Sequence, residues 1–310
     1  MTKAPIVASP ILSARSAYIL LGLVIVIWGT NWPIMKSALN VVPPLWFAFG
    51  RTLIGALTLI ALLAWKGQLR LPPRHDLPVV FSVGFLHLAL FLGFVNIALQ
   101  FVGAGRSAIL AYTTPLWVVP GAIWFLGERM TRLKAAGLVA GLGGLIVLFN
   151  PAALDWSDRN VLIGNGLLLV AALFWAVAIV HIRGHKFQLT TFQLTPWQLI
   201  VGGVPLLIAA LIFEDTGRIV WNGEMWFALA YNGFLSTAFG YWAAVTVNRA
   251  IPAITMSLGI LGVPLVGLVT GIFWLGEEAA PSLMISLLLI GLGLTLVAWA
   301  DRPGANIRSR

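Results

Sequence analysis

Apolar residues run through this chain in long stretches, and polar residues collect in short segments between them. A helix rises about 1.5 Å per residue, so about 20 apolar residues cross the roughly 30 Å hydrocarbon core of a bilayer. The pattern predicts an all-α integral membrane protein with ten transmembrane helices. They are expected over residues 18–38, 45–65, 77–99, 105–126, 132–150, 162–181, 193–213, 225–247, 252–275 and 281–300.

The sequence also repeats itself after about 149 residues, without insertions between the matched segments. Gly84-Phe85-Leu86 recurs as Gly233-Phe234-Leu235, Pro115-Leu116 as Pro264-Leu265, and Leu126-Gly127-Glu128 as Leu275-Gly276-Glu277. We therefore divide the chain into two repeats, residues 1–150 and 151–310, each with five predicted helices. Because five is odd, the second repeat enters the membrane from the opposite side. Inverted repeats are typical of transporters, whose substrate sites lie near the midplane.

Charge supports the inversion. The chain is 60% hydrophobic and 9% charged, with a net charge of +9. If the N-terminus is cytoplasmic, 14 of the 19 Lys and Arg residues fall in cytoplasmic segments and four in external ones. The loop at 127–134 is basic, whereas its counterpart at 276–281 has no basic residue. This is the positive-inside distribution, so the basic balance indicates topology and not nucleic-acid binding. We expect a bacterial-type inner-membrane protein, embedded in the lipid bilayer, with both termini cytoplasmic.

Motifs at corresponding positions of the two repeats carry a family resemblance. They are Trp28-Gly29-Thr30-Asn31-Trp32 with Lys36, Arg51, the paired prolines Pro115 and Pro264, the two Leu-Gly-Glu segments, and Gly137, Gly141, Gly143 and Gly144. Over essentially its whole length the chain resembles the EamA family of the drug/metabolite transporter superfamily, and within it most closely the aromatic-amino-acid exporters of the YddG type. The resemblance implies two EamA-like repeats. It also implies export of small metabolites through a central cavity lined by the first, third, fourth, sixth, eighth and ninth spans.

A carrier needs polar and aromatic side chains at mid-membrane depth to hold a solute. Eleven residues are predicted to bind substrate: His87, Trp28, Asn31, Phe91, Asn96, Tyr112, Thr113, Trp117, Trp175, Tyr241 and Trp242. Thr114, Ser236 and Thr237 lie at similar depth. His87 could bind solute or carry a proton, or it could be a neutral imidazole bonded to a neighbouring helix. The mid-membrane tryptophans could wall a cavity or simply pack.

Arg51 is costly in an apolar span, so it should face protein or water. Two interpretations stay open, a clamp for a solute carboxylate and a structural anchor, and the resemblance favours the anchor, because family members with unlike substrates share an arginine here. Glu128 and Glu277 lie at helix ends, where we expect them to tie loops together. Pro115 and Pro264 remove helical hydrogen bonds, so they could form paired hinges or permanent kinks in their helices. His75, His181 and His185 lie near helix ends and are expected at the surface.

Absent residue types narrow the function. The chain has no cysteine, and no carboxylate or thiol lies at ligand spacing near His87, so we predict no metal site there and no cofactor. None of the ten acidic residues falls in mid-membrane, where proton- or sodium-coupled carriers commonly place one. Transport is therefore expected to be passive or exchange-like, with any proton coupling through His87.

The predicted function is export of small metabolites by alternating access and without catalysis, with amino acids, aromatic ones included, as the expected substrates. Another carrier of the same superfamily, a channel and an intramembrane enzyme are the alternatives. The intramembrane-enzyme alternative would need a nucleophile and a base close together, and the sequence offers no such set. Substrate identity, coupling, direction and oligomeric state stay open.

Overall fold

The computed structural model describes residues 12–149, 157–275 and 281–300, and these residues form only helices and the turns between them. The helices are α1 (Ala14–Ala38), α2 (Pro44–Trp65), α3 (Leu77–Phe101), α4a (Ala104–Ala111), α4b (Pro115–Leu126), α5 (Arg132–Phe149), α6 (Arg159–Gly184), α7 (Thr191–Phe213), α8 (223–250), α9a (Ala253–Gly259), α9b (Gly262–Leu275) and α10 (Pro281–Ala300), with a short 3₁₀ turn at Thr216–Arg218.

Local sequence explains where several helices begin. Ser13 and Asn222 accept backbone hydrogen bonds at the starts of α1 and α8, and Thr190 forms a reciprocal capping box with Gln193 at the start of α7. Pro44 occupies the first position of α2, where its missing N–H would have no helical partner in any case. These polar residues occupy the short segments between apolar stretches, so capping chemistry and hydropathy agree on the helix boundaries.

Six helical stretches in the described part of the chain are long and apolar enough to cross a membrane. They are Ala14–Ala38, Pro44–Trp65, Leu77–Phe101, Ser107–Leu126, Arg159–Gly184 and Thr191–Phe213, and shorter apolar helices occur at Ala253–Gly267 and Leu288–Ala300. Large apolar side chains such as Phe125 and Phe213 are about four-fifths exposed on the outside. An outer surface of this kind requires a hydrocarbon environment.

Two irregularities recur at the 149-residue spacing of the sequence repeat. The middle of α3 (Ser82–Phe91) and the middle of α8 (Tyr231–Phe239) wind as π-helix. The helix pairs α4a/α4b and α9a/α9b are each separated by a short non-helical interruption, at 112–114 and at 260–261. A widened turn leaves backbone carbonyls without their ordinary helical partner, and such turns occur frequently at functional sites. The two halves of the chain therefore share local distortions as well as sequence.

The sequence suggested that Pro115 and Pro264 bend continuous helices. In the structure, neither proline lies in the middle of a continuous helix. Pro115 is the first residue of α4b, and Pro264 lies in the first turn of α9b. The first N–H groups of a helix have no intrahelical partner, so proline is tolerated there at little cost. The chain is instead interrupted before each proline, and the interruption places Tyr112 between two helical segments.

Packing pairs helices across the two halves. The α2 helix lies on α7, α1 on α9b, α3 on α6, and α5 on α10. Close approach of the last pair depends on glycine, since a Cβ on Gly137 would lie 2.9 Å from the Gly293 carbonyl oxygen and one on Gly293 only 2.7 Å from that of Gly137. Small residues commonly allow such close approach between membrane helices. Helices from both halves surround a small cavity at the centre of the molecule.

Candidate functional site

The central cavity lies between α1, α2, α3, α6, α8 and the interruption between α4a and α4b, so both halves of the chain contribute to it. Its lining comprises Trp28, Asn31, Trp32, Met35, Arg51, His87, Phe91, Leu92, Val95, Tyr112, Trp175, Ser236 and Tyr241. The cavity measures about 30 Å³, which holds about two water molecules. In this conformation the cavity is too small for an amino acid, and a larger solute would need its walls to separate.

Aromatic rings enclose the imidazole of His87. The ring of Trp175 stacks on it at 5.1 Å between centroids, and Tyr241 and Phe91 approach at 4.9 and 5.3 Å. Trp28 completes this cage edge-on at 6.5 Å. These rings come from α1, α3, α6 and α8, so the cage exists only when both repeats are assembled. Such a wall presents flat apolar faces suited to an aromatic or aliphatic solute.

His87 is buried, and neither of its ring nitrogens has a hydrogen-bond partner among the described residues. An unsatisfied buried polar group costs about 1–3 kcal/mol, so proteins rarely retain one without a reason. The side-chain oxygen of Asn31, also on the cavity wall, is unpartnered as well. The cavity therefore has unused capacity for hydrogen bonding on an otherwise apolar lining.

Arg51 carries the only formal charge among the described residues that line the cavity, and its side chain is buried. Its Nε donates to Thr237 Oγ1 at 3.0 Å, its Nη2 to Ser236 Oγ at 2.8 Å, and its Nη1 to Met35 Sδ at 3.2 Å. No carboxylate within the described ranges lies within 4.0 Å of this guanidinium. The charge is solvated by neutral groups alone, two of them on the π-helical part of α8.

The π-helical turn of α8 also exposes a backbone acceptor. The indole Nε1 of Trp28 donates to the carbonyl oxygen of Ser236 at 3.0 Å. The widened turn thus presents its backbone oxygen to Trp28 and its hydroxyls to Arg51, and it joins α1 and α2 to the second half of the chain. The equivalent π-helical turn in α3 positions His87.

Seven of the eleven residues predicted to bind substrate meet at this cavity: Trp28, Asn31, His87, Phe91, Tyr112, Trp175 and Tyr241. Four do not. Asn96 donates to the Leu92 carbonyl within α3, and Thr113 donates to that of Leu110. Trp117 is 41% exposed on the outer surface, and Trp242 packs against Phe192 and Phe239.

Sequence reasoning missed four lining residues, Trp32, Met35, Leu92 and Val95. Trp32 and Met35 follow Trp28 by four and seven residues, and Val95 follows Phe91 by four. This spacing places each of them on the same helix face as a predicted site residue. Extending each candidate along its own helix face would have found Trp32, Met35 and Val95.

Acidic side chains fasten helix ends outside the cavity. The carboxylate of Glu128 accepts hydrogen bonds from the backbone N–H groups of Ala253 and Ile254 at 2.7 and 3.1 Å, which ties the end of α4b to the start of α9a. Glu277, its sequence counterpart, lies outside the described residues. Glu214 similarly accepts from the N–H groups of Leu45 and Trp46 at the start of α2. Burial raises the pKa of Glu214 above its ordinary value, although these donors and Arg218 oppose the shift.

Comparison with known proteins places this arrangement in context. A sequence model of the EamA-like transporter family matches the chain twice, at residues 15–150 and 162–299. An uncharacterized transporter of Bacillus subtilis, YoaV, is 31% identical over 279 residues, which cover 89% of this chain and 95% of the relative. A Salmonella typhimurium protein named "Probable amino-acid metabolite efflux pump" is 26% identical over 300 residues, with 92% of this chain and 96% of that protein covered.

A solved structure described only as a crystal structure of a protein has the same fold. It superposes with a TM-score of 0.75 and covers 94% of this chain and 99% of its own, at 21% sequence identity. At this identity the likeness extends to the arrangement of helices and not to the chemistry of the cavity.

Proposed function

The chain belongs to the EamA-like transporter family, and on that premise we propose that this membrane protein exports small amino acids or related metabolites, aromatic ones among them, through its central cavity. The amino-acid assignment draws on the relatives named as amino-acid metabolite efflux pumps. The observation that carries the proposal in this chain is Arg51, a buried cation facing the cavity with no carboxylate partner in the described structure.

The cavity matches the parts of an aromatic amino acid. The guanidinium of Arg51 supplies the charge complement of an α-carboxylate, and its planar donors suit that group. The cage around His87 supplies apolar faces for the side chain. The unpartnered nitrogens of His87 and oxygen of Asn31 are available to the ammonium or the carboxylate. Apolar walls discriminate poorly between side chains that differ by one methylene, so we expect broad selectivity.

We further propose ten transmembrane helices in two inverted repeats, with both termini on the cytoplasmic side of a bacterial inner membrane. The positive-inside distribution and the recurrence of π-helical turns and interruptions at one spacing support this arrangement. Alternating access would open the closed cavity to one side at a time, with the interruptions before Pro115 and Pro264 as flexible points.

The substrate proposal is tested by flux in proteoliposomes. The panel contains radiolabelled amino acids, nucleotide sugars and quaternary amines, followed by phenylalanine against phenethylamine, which lacks the carboxylate. We expect saturable phenylalanine flux and a preference over phenethylamine. Arg51→Gln should lower kcat/KM for phenylalanine by about 10- to 100-fold, the value of a hydrogen bond to a charged group, and abolish the preference.

Two control variants complete that experiment. Arg51→Lys keeps the charge without the bidentate donors and should retain part of the preference. Trp124→Phe changes an exposed residue remote from the cavity and should leave flux unchanged. If the Arg51→Gln variant keeps the wild-type preference for phenylalanine over phenethylamine, Arg51 does not bind the substrate carboxylate. A panel without amino-acid flux would reject the substrate class.

The orientation proposal can be tested directly, because the chain has no cysteine. Single cysteines at Met130 and Ala279, in corresponding loops of the two repeats, should react with impermeant maleimide from opposite sides of the membrane. Labelling from one side only would reject the inverted arrangement.

We propose that transport is passive or exchange-like. No acidic residue lines the described cavity, and His87 is the one imidazole among its described lining residues. Uptake with and without an imposed pH gradient should differ little. Strict gradient dependence that survives His87→Ala would require a different coupling site.

A further inference from the structure

A second group of chemistry-bearing side chains lies away from the cavity, at the end of the molecule where α3 begins. His75, Asp76 and His185 form this group, which we call the Asp76 cluster. The Asp76 carboxylate is fully buried, the His185 side chain is 9% exposed and that of His75 is 47% exposed. His75 and Asp76 precede α3 in the first repeat, and His185 follows α6 in the second. The cluster therefore joins the two repeats.

Its geometry suits a metal ion. The Nε2 atom of His185 lies 2.9 Å from Asp76 Oδ1 and the Nδ1 atom of His75 lies 3.2 Å from the same oxygen. All three atoms lie within 4.8 Å of one another. Zn²⁺ bonds of about 2.0–2.2 Å at tetrahedral angles separate neighbouring ligand atoms by about 3.3 Å. The His75 side chain is 47% exposed, so we expect it to adjust its position toward a bound ion.

We propose that the Asp76 cluster is a binding site for a divalent transition metal, with Zn²⁺, Co²⁺ and Ni²⁺ as the matching ions. Two imidazoles and one carboxylate are a common protein ligand set for such ions, and water at the exposed side of His75 supplies the fourth ligand. Mg²⁺ and Ca²⁺ prefer sites made entirely of oxygen. In the metal-free state the imidazoles hydrogen-bond to Asp76, and in the bound state they turn their lone pairs to the ion.

The surroundings hold the carboxylate in position for this role. The backbone N–H of Leu189 donates to Asp76 Oδ2 at 2.9 Å, and that of Gln188 donates to both carboxylate oxygens at 3.1 and 3.2 Å. Metal-ligating carboxylates are commonly oriented by such outer hydrogen bonds. The ring of Phe187 flanks His185 edge-on at 4.9 Å and limits its rotation.

Bound metal would connect the segment before α3 to the segment between α6 and α7. These segments belong to different repeats, so the ion would act as a removable cross-link at one face of the protein. The site does not depend on the substrate proposed above, because it shares no residue with the central cavity. Metal binding and substrate transport can thus be confirmed or rejected separately.

The test is metal binding by the full chain in detergent, purified without a polyhistidine tag. The chain contains four histidines and no cysteine, so competing ligands are few. We expect one Co²⁺ per chain, with the visible absorption of a four-coordinate ion, displaced by Zn²⁺ and not by Mg²⁺. His75→Ala and His185→Ala should each weaken Zn²⁺ binding at least about tenfold, since loss of even an outer-shell partner has an effect of that size.

His181→Ala is the matched control, because His181 neighbours the cluster but its Nδ1 bonds to Ser82 Oγ at 2.7 Å. We expect it to change Zn²⁺ affinity less than about twofold. His75 is half exposed, so its alanine variant should fold even if the His185 variant does not. Absence of stoichiometric metal, affinity retained in His75→Ala, or equal loss in His181→Ala would each overturn the proposal.

Discussion

The central cavity and the Asp76 cluster each hold a histidine largely removed from solvent, and they treat its hydrogen-bonding groups in opposite ways. His87 in the cavity has no hydrogen-bond partner for either ring nitrogen within the described part of the chain, whereas His185 bonds to a buried carboxylate. Arg51 and Asp76 differ in the same sense. The arginine has only neutral partners, and the aspartate accepts from two imidazoles and two backbone amides. The two sites therefore differ in how far their buried polar groups are satisfied by other groups of the protein.

The strongest test of this contrast is Asp76→Asn. An amide presents one acceptor oxygen and no charge to four donors, so we expect the free energy of unfolding to fall by about 2–4 kcal/mol. Reversible unfolding in mixed detergent micelles measures it. Asp215→Asn, at an exposed position that also caps a turn, should change it by less than about 0.5 kcal/mol.

The pH dependence of the wild type gives an independent measure of the same residue. Burial alone would raise the pKa of Asp76, but hydrogen bonds from His185, Leu189, Gln188 and His75 outweigh it and hold the pKa below 3.8. A carboxyl with a lowered folded-state pKa stabilises the protein above its unfolded pKa. This contribution should be present at neutral pH and lost as the pH falls below 3.8. A stability profile in Asp76→Asn as steep as that of the wild type would contradict it.

A smaller effect of opposite sign is expected at His87. Replacement by Leu removes two unsatisfied buried nitrogens, so the free energy of unfolding should rise by about 1 kcal/mol while phenylalanine flux falls. His181→Leu, the same change at a bonded imidazole, should lower it. Destabilisation of the His87 variant to the extent of the His181 variant would show that the cavity imidazole has a structural partner.

Glu128 sharpens the comparison at an intermediate level, because it is a satisfied carboxylate that is only partly buried. Glu128→Gln keeps one acceptor for Ala253 or Ile254 but loses the charge at the start of α9a. We expect a loss of about 1 kcal/mol in the free energy of unfolding. Arg129→Gln, the exposed neighbour, should stay within about 0.5 kcal/mol. Equal effects would mean that the contact with α9a is not what Glu128 contributes.

The smallest effect separates two tryptophans that the sequence treats alike. Trp175 stacks on His87 in the cavity, whereas Trp117 is partly exposed on the outside. Replacing each by Phe should cost under about 1 kcal/mol in stability. The Trp175 variant should lose more phenylalanine flux than the Trp117 variant, measured in parallel liposomes. The reverse order would place the substrate elsewhere.

Much of the fold could be predicted from the sequence because hydropathy depends on residues adjacent along the chain. The helices of the structure lie within a few residues of the predicted spans, and the spacing of Pro115 and Pro264 locates the paired irregularities. The form of those irregularities could not be predicted. Whether a helix bends, widens or stops depends on packing against helices from the other repeat, and no local pattern records it.

The candidate site divides in the same way. The depth of a residue in the membrane can be estimated from its position along a span. On this criterion Trp28, His87, Trp175 and Trp117 were all predicted to bind substrate. Which face of a helix points inward is a tertiary property, and this separates Trp175 from Trp117. The Asp76 cluster was harder still, since His185 follows Asp76 by 109 residues and a loop histidine was expected at the surface. Only the folded chain brings these groups together.

Arg51 spans the boundary between the repeats through the hydroxyls of Ser236 and Thr237. A solute carboxylate that accepts from this guanidinium must compete with those hydroxyls for the same donors. Substrate binding would then break hydrogen bonds that join the two repeats, so that the substrate itself would favour the conformational change that transports it.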